Sequence, residues 1–348
     1  MRNVPFPFSN HKFCKIHVSY VAKQYVIMTR KNKRIIQILV SCLLFVVVAL
    51  VLSAWFLIDY ALKPGNRSRN EAQAWKEVFF SYPNTKPWRD SLVVTHTLRD
   101  TFITDDKGMK MHAWYVRAPQ PTAATALLVH GYTDCGIRMM PLGCMYNHEL
   151  GMNILLPDLK NAGRSDGDHF QMGWFDRCDV KRWANVCSSL FGDSVRIVVH
   201  GVSMGAATTM MLSGDDDVPS SVKLYVEDCG YTSVEDQFAK ELKERFHLPR
   251  FPIIPLASAL CKLRYGWSFS EASSLAQVKR CNKPMLFIHG ANDDFVPTAM
   301  VYPLYRAKPA DKTLWVVNGA AHARSYKIAT QRYTEKVDSF LCVHHFVY

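Results

Sequence analysis

Apolar positions along the chain fall into two regimes. Between residues 35 and 58 they form one unbroken run of 24 residues without a charge, in which Gln37, Ser41 and Ser53 are the only polar side chains besides Cys42. As a helix this run would span about 36 Å at ~1.5 Å per residue, enough to cross a hydrocarbon core of ~30 Å. From about residue 90 onward, short apolar runs alternate with helical patterns. Residues 113–116, 124–130, 152–157, 195–200, 222–227, 284–289 and 313–317 read as strands, several of them continuous β-branched and aliphatic runs, as expected of strands buried on both faces. Residues 136–150, 179–190, 203–212, 298–305 and about 330–342 read as helices. The alternation predicts an α/β fold with a mostly parallel central sheet and helices on both faces. It breaks once, between residues 232 and 280, where a helical stretch at 234–246 is followed by an apolar piece containing Pro249, Pro252 and Pro255. That is too long for an ordinary connection and reads as a small helical cap inserted over one sheet edge.

Four segments follow: a basic N-terminal segment at 1–34, a transmembrane anchor at 35–58, a polar connector at 59–89 with a short amphipathic stretch near 72–80, and a catalytic-type domain at 90–348. A cleaved signal peptide is the main rival for the apolar run. Its apolar region should be ~7–15 residues and end in a small-x-small site. This run is longer, and Ala54 has Leu52 two positions before it and Trp55 and Phe56 after it. Arg30, Lys31, Lys33 and Arg34 abut the N-terminal end of the run, so the positive-inside rule keeps that end in the cytoplasm and puts the large C-terminal part across the membrane. Met28 opens an ordinary start to an anchor segment, which makes residues 1–27 an expected upstream extension.

The formal net charge is +12. Eight Lys/Arg and no Asp or Glu fall in residues 1–58, leaving 34 basic and 30 acidic side chains for the other 290 residues. The excess is local, so a nucleic-acid partner is not expected. Ten cysteines include no C-x-x-C pair, which argues against a zinc ribbon or a thioredoxin-like motif. Cys187 and Cys229 sit in apolar segments and read as core thiols. Asp215, Asp216 and Asp217 form a carboxylate run without flanking ligands at metal spacing and read as a solvated loop. No Walker loop or dinucleotide glycine fingerprint occurs, so neither cofactor nor metal is expected.

The candidate chemistry starts at His200-Gly201-Val202-Ser203-Met204-Gly205, a G-x-S-x-G directly between a strand and a helix. That context fits a nucleophile on a tight turn, with glycines where the backbone is crowded. A serine hydroxyl needs a base, and the base needs an orienting carboxylate. His289-Gly290-Ala291-Asn292-Asp293-Asp294-Phe295-Val296-Pro297 and Asn318-Gly319-Ala320-Ala321-His322 each follow a strand, giving the order Ser203, Asp293, His322. Asp294, Asp228, His344 and His345 remain alternatives for the acid or the base. His130, His200 and His289 each end a strand before Gly and read as structural turn residues.

These motifs together resemble the α/β-hydrolase superfamily of serine hydrolases over roughly residues 90–345. Leu128-Val129-His130-Gly131-Tyr132 is similar to that fold's His-Gly loop, and residues 158–167 are similar to its Asp-x-Arg-Gly-x-Gly-x-Ser-x-Gly turn, with Lys160 and Asn161 replacing Arg-Gly. The resemblance implies Ser203 as nucleophile, His322 as general base and then acid, Asp293 as its orienter, and the backbone N–H groups of Tyr132 and Met204 as an oxyanion hole. It implies cleavage of an ester, thioester or amide, with a small-molecule or peptide acyl substrate. An α/β-hydrolase-type peptidase is the alternative within the class. A catalytically silent, membrane-tethered binding module is the alternative outside it.

Overall fold

The computed structural model describes residues 11–309 and 311–346; the first ten residues, Arg2 among them, lie outside the described residues. The chain divides after Ala54 into two units. Among the described residues the first holds only helix: α1 (His11–Leu62) carries the apolar run, and residues 35–48 are exposed. It is one helix long and apolar enough to cross a membrane. The predicted apolar run stops at residue 58, but the helix continues to Leu62, because Asp59 and Tyr60 end the apolar composition without ending the helical geometry.

The second unit is built on one eight-stranded sheet. Its strands are β1 (Arg99–Thr104), β2 (Lys110–Val116), β3 (Ala124–Val129), β4 (Asn153–Pro157), β5 (Arg196–Val202), β6 (Val222–Asp228), β7 (Met285–Gly290) and β8 (Lys312–Val317). They lie in the order β1-β2-β4-β3-β5-β6-β7-β8. The β1–β2 and β2–β4 pairs are antiparallel, and from β4 to β8 every neighbour is parallel. Every residue of β3, β4 and β7 is buried, which is why these strands read as unbroken apolar runs. β1 escaped the sequence reading because it is an edge strand of mixed composition, mostly exposed and paired on one side only.

Around the sheet run α2 (Glu71–Ser81), α3 (Thr85–Val94), α4 (Met140–Cys144), α5 (Asp176–Phe191), α6 (Met204–Ser213), α7 (Val234–Phe246), α8 (Arg250–Tyr265), α9 (Ser274–Val278), α10 (Val301–Ala307), α11 (Ser325–Ile328) and α12 (Thr330–Val343). Several differ from expectation for a local reason. Residues 59–89 are largely helical: Pro87 sits in the first turn of α3, where its missing N–H has no helical acceptor to lose. Residues 136–150 are not one helix but a 3-10 turn, α4 and a π turn. Pro141 cannot donate to an upstream carbonyl, so a new helix begins there. The proline-containing piece after residue 249 is α8, with Pro249 capping it and Pro252 in its first turn. The cap region is therefore three helices, α7 to α9. Asp215, Asp216 and Asp217 are ion-paired rather than merely solvated, meeting Arg177, Lys181 and Arg280 at 2.6–3.1 Å.

α12 closes one face of the sheet, burying Tyr333, Val337, Phe340 and Leu341 against Val198, Val226, Leu286 and Ile288. Tyr333 also fixes the ends of two central strands. Its hydroxyl donates to Asp228 Oδ2 at 3.0 Å and lies 3.0 Å from His200 Nε2, while Tyr146 Oη meets His200 Nδ1 at 3.0 Å. Burial pushes His200 down to about 3 and Asp228 up to about 6. His200 is thus a neutral core histidine. Replacing Tyr333 by Phe strips a partner from both groups without removing the ring, and is expected to lower the unfolding free energy by about 1–3 kcal/mol. A denaturant midpoint equal to that of the unaltered chain would show that His200 and Asp228 do not depend on this hydroxyl.

Candidate active site

Ser203 lies between β5 and α6 at φ 57° and ψ −116°, a left-handed conformation costing about 1–3 kcal/mol for a non-glycine residue. The turn is possible because the residues two positions before and after it, Gly201 and Gly205, carry no side chain. A Cβ on Gly201 would come within 2.0 Å of Gly205 O, and a Cβ on Gly205 within 2.0 Å of Val129 O. The Ser203 N–H donates to Asp228 O at 2.8 Å and its carbonyl accepts from Ala207 N–H at 3.0 Å, so the backbone is held on both sides.

Two loops beyond other strand ends meet this hydroxyl. Ser203 Oγ is 2.8 Å from His322 Nε2, and His322 Nδ1 is 2.8 Å from Asp293 Oδ2. The other oxygen of Asp293, Oδ1, accepts the N–H groups of Val296 at 2.9 Å and Phe295 at 3.1 Å. The Phe295 ring lies against His322, with centroids 4.8 Å apart. Burial works against ionising Asp293, but hydrogen bonds from His289, His322 and Val296 outweigh it and hold the carboxyl at about 2. Such a hydrogen-bonded series fixes one imidazole tautomer and points its second nitrogen at a hydroxyl, the arrangement needed to remove a proton from it.

The alternatives fall elsewhere. Asp294 is exposed. The Asp228 carboxylate is taken by Ser325 and Tyr333. His344 and His345 follow the end of α12, with the ring of His344 against Phe340. His130 braces its own turn, bonding Gly131 O and the Leu159 N–H. His289 does more than its turn requires. It is fully buried, its Nε2 bonds Val296 O at 2.9 Å, and the same nitrogen sits 3.4 Å from Asp293 Oδ2. Burial opposes its protonation, but the Asp293 and Glu227 carboxylates outweigh that and raise its pKa. The sequence offered one clue to this pairing, the i, i+4 spacing of His289 and Asp293.

The backbone N–H groups of Tyr132 and Met204 meet no protein acceptor among the described residues. Gly131 brings the Tyr132 turn close, since a Cβ there would lie 3.4 Å from Ser203 Cβ. The Tyr132 hydroxyl is committed to Ala61 O at 2.6 Å. Cys229, Asp293 and His322 offer ligand atoms within 4.8 Å of one another. Burial, with neighbouring carboxylates, raises the Cys229 thiol well above its usual range, and metal binding needs the thiolate. The cluster suits a proton relay better than an ion.

A cavity of about 480 Å³ opens beside Ser203. Its far wall comes from the cap: Phe238 and Leu242 of α7, and Ile253, Ile254 and Ala257 of α8. Its near wall comes from the end of α1, through Leu57, Ile58, Tyr60 and Ala61. Sequence reasoning assigned these residues to the anchor and the connector.

The low pKa of Asp293 has a signed consequence. A carboxyl held near 2 when folded and ~3.9 when unfolded contributes stability above pH ~4 that is lost as pH falls toward 2. Asp293→Asn is therefore expected to destabilise the chain by about 2 kcal/mol at pH 7, with the difference shrinking below pH 4. Urea unfolding at pH 7, 5, 4 and 3 measures it; a gap that stayed constant with pH would mean that the carboxylate's charge contributes nothing.

No protein-family model matches the chain. It is 30% identical over 230 residues to the uncharacterised protein YqkD of Bacillus subtilis, covering 65% of this chain and 74% of that protein. It is 20% identical over 210 residues to the uncharacterised membrane protein YNL320W of Saccharomyces cerevisiae, covering 60% of this chain and 67% of that one. Among solved structures, the esterase Pf2001 of Pyrococcus furiosus superposes with a TM-score of 0.57 at 23% identity, covering 70% of this chain and 91% of that one. With its sheet order, its Ser203 turn and these relatives, the chain belongs to the α/β-hydrolase superfamily and shares a family with YqkD.

Proposed function

We propose that this chain is a membrane-anchored serine hydrolase that cleaves an ester, thioester or amide through an acyl-enzyme on Ser203. The observation that carries the proposal is the 2.8 Å and 2.8 Å succession from Ser203 Oγ through His322 to Asp293, facing an apolar cavity. Ser203 Oγ attacks the acyl carbonyl as His322 Nε2 takes its proton. Asp293 keeps the other ring nitrogen protonated and balances the imidazolium. The N–H groups of Tyr132 and Met204 receive the developing oxyanion, each such donor being worth about 100- to 1000-fold in rate. His322 then returns the proton to the leaving group. Water attacks the acyl-enzyme by the same route in reverse, releasing the acid and restoring Ser203. The apolar cavity wall favours a hydrophobic acyl group, and the fold neighbour Pf2001 is named an esterase.

A fluorophosphonate probe is expected to label the full chain and to leave Ser203→Ala unlabelled. The same substitution is expected to lower turnover of p-nitrophenyl esters by on the order of 10⁵–10⁶. A folded chain that resists the probe would mean a silent binding module instead, and preferential turnover of aminoacyl or peptidyl amides would mean a peptidase.

Anchoring by the uncleaved helix, with its basic end in the cytoplasm, is part of the same proposal. The uncleaved helix is supported by its last residues, which pack within the second unit: Leu62 O accepts the Phe170 N–H at 2.8 Å, Asp59 pairs with Arg264 at 2.8 Å, and Ile58 is only 2% exposed. A C-terminal reporter active only outside the cytoplasm should be active in this fusion; activity of a cytoplasm-only reporter instead would reverse the orientation.

A further inference from the structure

We propose that the cavity beside Ser203 takes the acyl chain of a lipid resident in the same bilayer as the anchor, the anchor's own last turns serving as part of the acyl-binding wall. This rests on the serine-hydrolase reading and specifies its substrate: a long-chain acyl lipid rather than a small water-soluble ester.

Chain continuity is the first support. α1 passes from the apolar run into the cavity wall without a break, and at ~1.5 Å per residue only about 10 Å of helix separates Ala54 from Ala61. A substrate in that cavity lies a few residues of chain from the end of the membrane-spanning segment. The second support is the distribution of polarity. Charged cavity-lining residues include Lys63 and Arg245, both exposed, and Glu241, which binds Arg245 at 2.5 Å. The residues near Ser203 and under the cap are mostly apolar, with the buried Gln237 amide the main polar group among them. An apolar interior with a charged mouth matches a molecule with one apolar tail and a polar head.

The third support is the outer surface of the cap. α8 leaves Leu263 83% exposed in a row with Pro255 and Ala259 at four-residue steps, and Phe251, at a kink where the backbone is extended (φ −96°, ψ 137°), is 77% exposed. Arg250 and Lys262 flank this row. The end of α8 is held to the anchor's last turns, where the Arg264 guanidinium binds Asp59 at 2.8 Å and lies 4.4 Å from the centre of the Trp55 ring. Trp55 and Tyr60, both exposed, are the residue types that concentrate at headgroup level. The row on α8 therefore ends beside Trp55 and Asp59, among the first residues of the second unit. Exposed apolar side chains on one face seat a helix in a membrane interface; the flanking Arg250 and Lys262 are paired with Glu235 and Glu271. That arrangement offers a lipid a lateral way to the cavity without crossing water.

The test uses the full chain in phosphatidylcholine vesicles, with p-nitrophenyl palmitate and p-nitrophenyl butyrate as probes and fluorophosphonate labelling of Ser203 alongside. Leu57→Trp puts an indole into the wall contributed by the anchor. Each methylene excluded should cost about fourfold, so the palmitate-to-butyrate ratio is expected to fall at least about tenfold while Ser203 still labels. An unchanged ratio with labelling retained overturns the inference and leaves the hydrolase reading standing; a native chain that does not label overturns the reading itself. The pair Phe251→Glu and Leu263→Glu alters exposed positions only. It is expected to lower palmitate turnover in vesicles severalfold relative to the same ester in detergent micelles. Equal loss in both, or none in either, counts against delivery from the bilayer.

Discussion

The arrangement around Ser203 depends on backbone meeting backbone. Gly201 and Gly205 leave no room for a Cβ, because each faces a carbonyl oxygen 2.0 Å from where that atom would stand. This contact presses the start of α6 against the ends of β3 and β5, and it forces Ser203 into a left-handed conformation that the segment would not adopt unaided. The Asp228 carbonyl, bonded to the Ser203 N–H, then transmits the position of β6 to the same turn. The hydroxyl's location is thus set by four main-chain segments, and side chains need only converge on it.

The side chains that converge do so in layers of decreasing solvent exposure. His322 keeps some exposure, while Asp293 and His289 have none at their side chains. A lone buried carboxyl would tend to hold its proton. Here two histidines and two main-chain N–H groups surround one carboxylate, and the balance falls on the charged side. His289 shares one nitrogen between Val296 O and the neighbourhood of Asp293, which ties the conformation of the 290–297 loop to the charge on that residue.

Much of this could be read in advance, for identifiable reasons. Strands buried on both faces show themselves as continuous apolar runs, so β3, β4 and β7 were visible, while β1, exposed at an edge, had no such signature. Residues 203, 293 and 322 stand out in the sequence because each follows a strand and carries its own local pattern, which survives without knowledge of packing. What remained hidden was non-local. The pairing of His289 with Asp293 needs loop geometry. The role of Leu57, Ile58, Tyr60 and Ala61 in the cavity wall has no periodic signal, because a helix facing hydrocarbon and a helix facing an apolar cavity are composed alike. The helical reading of 136–150 ran straight through Pro141, next to which the helix restarts, because apolar periodicity alone does not register a missing N–H.

The bond from the Tyr132 hydroxyl to the Ala61 carbonyl has a practical consequence for how the protein can be divided. The last turn of α1 has carbonyls with no helical donor ahead of them, and one of these is satisfied by a loop that also borders Ser203. Removing the whole of α1, through Leu62, would orphan that hydroxyl, leave the Phe170 N–H without its Leu62 acceptor, and open one flank of the chamber. The boundary between the two units lies upstream, between Ala54 and Trp55, so residues 55–62 stay with the unit that holds Ser203.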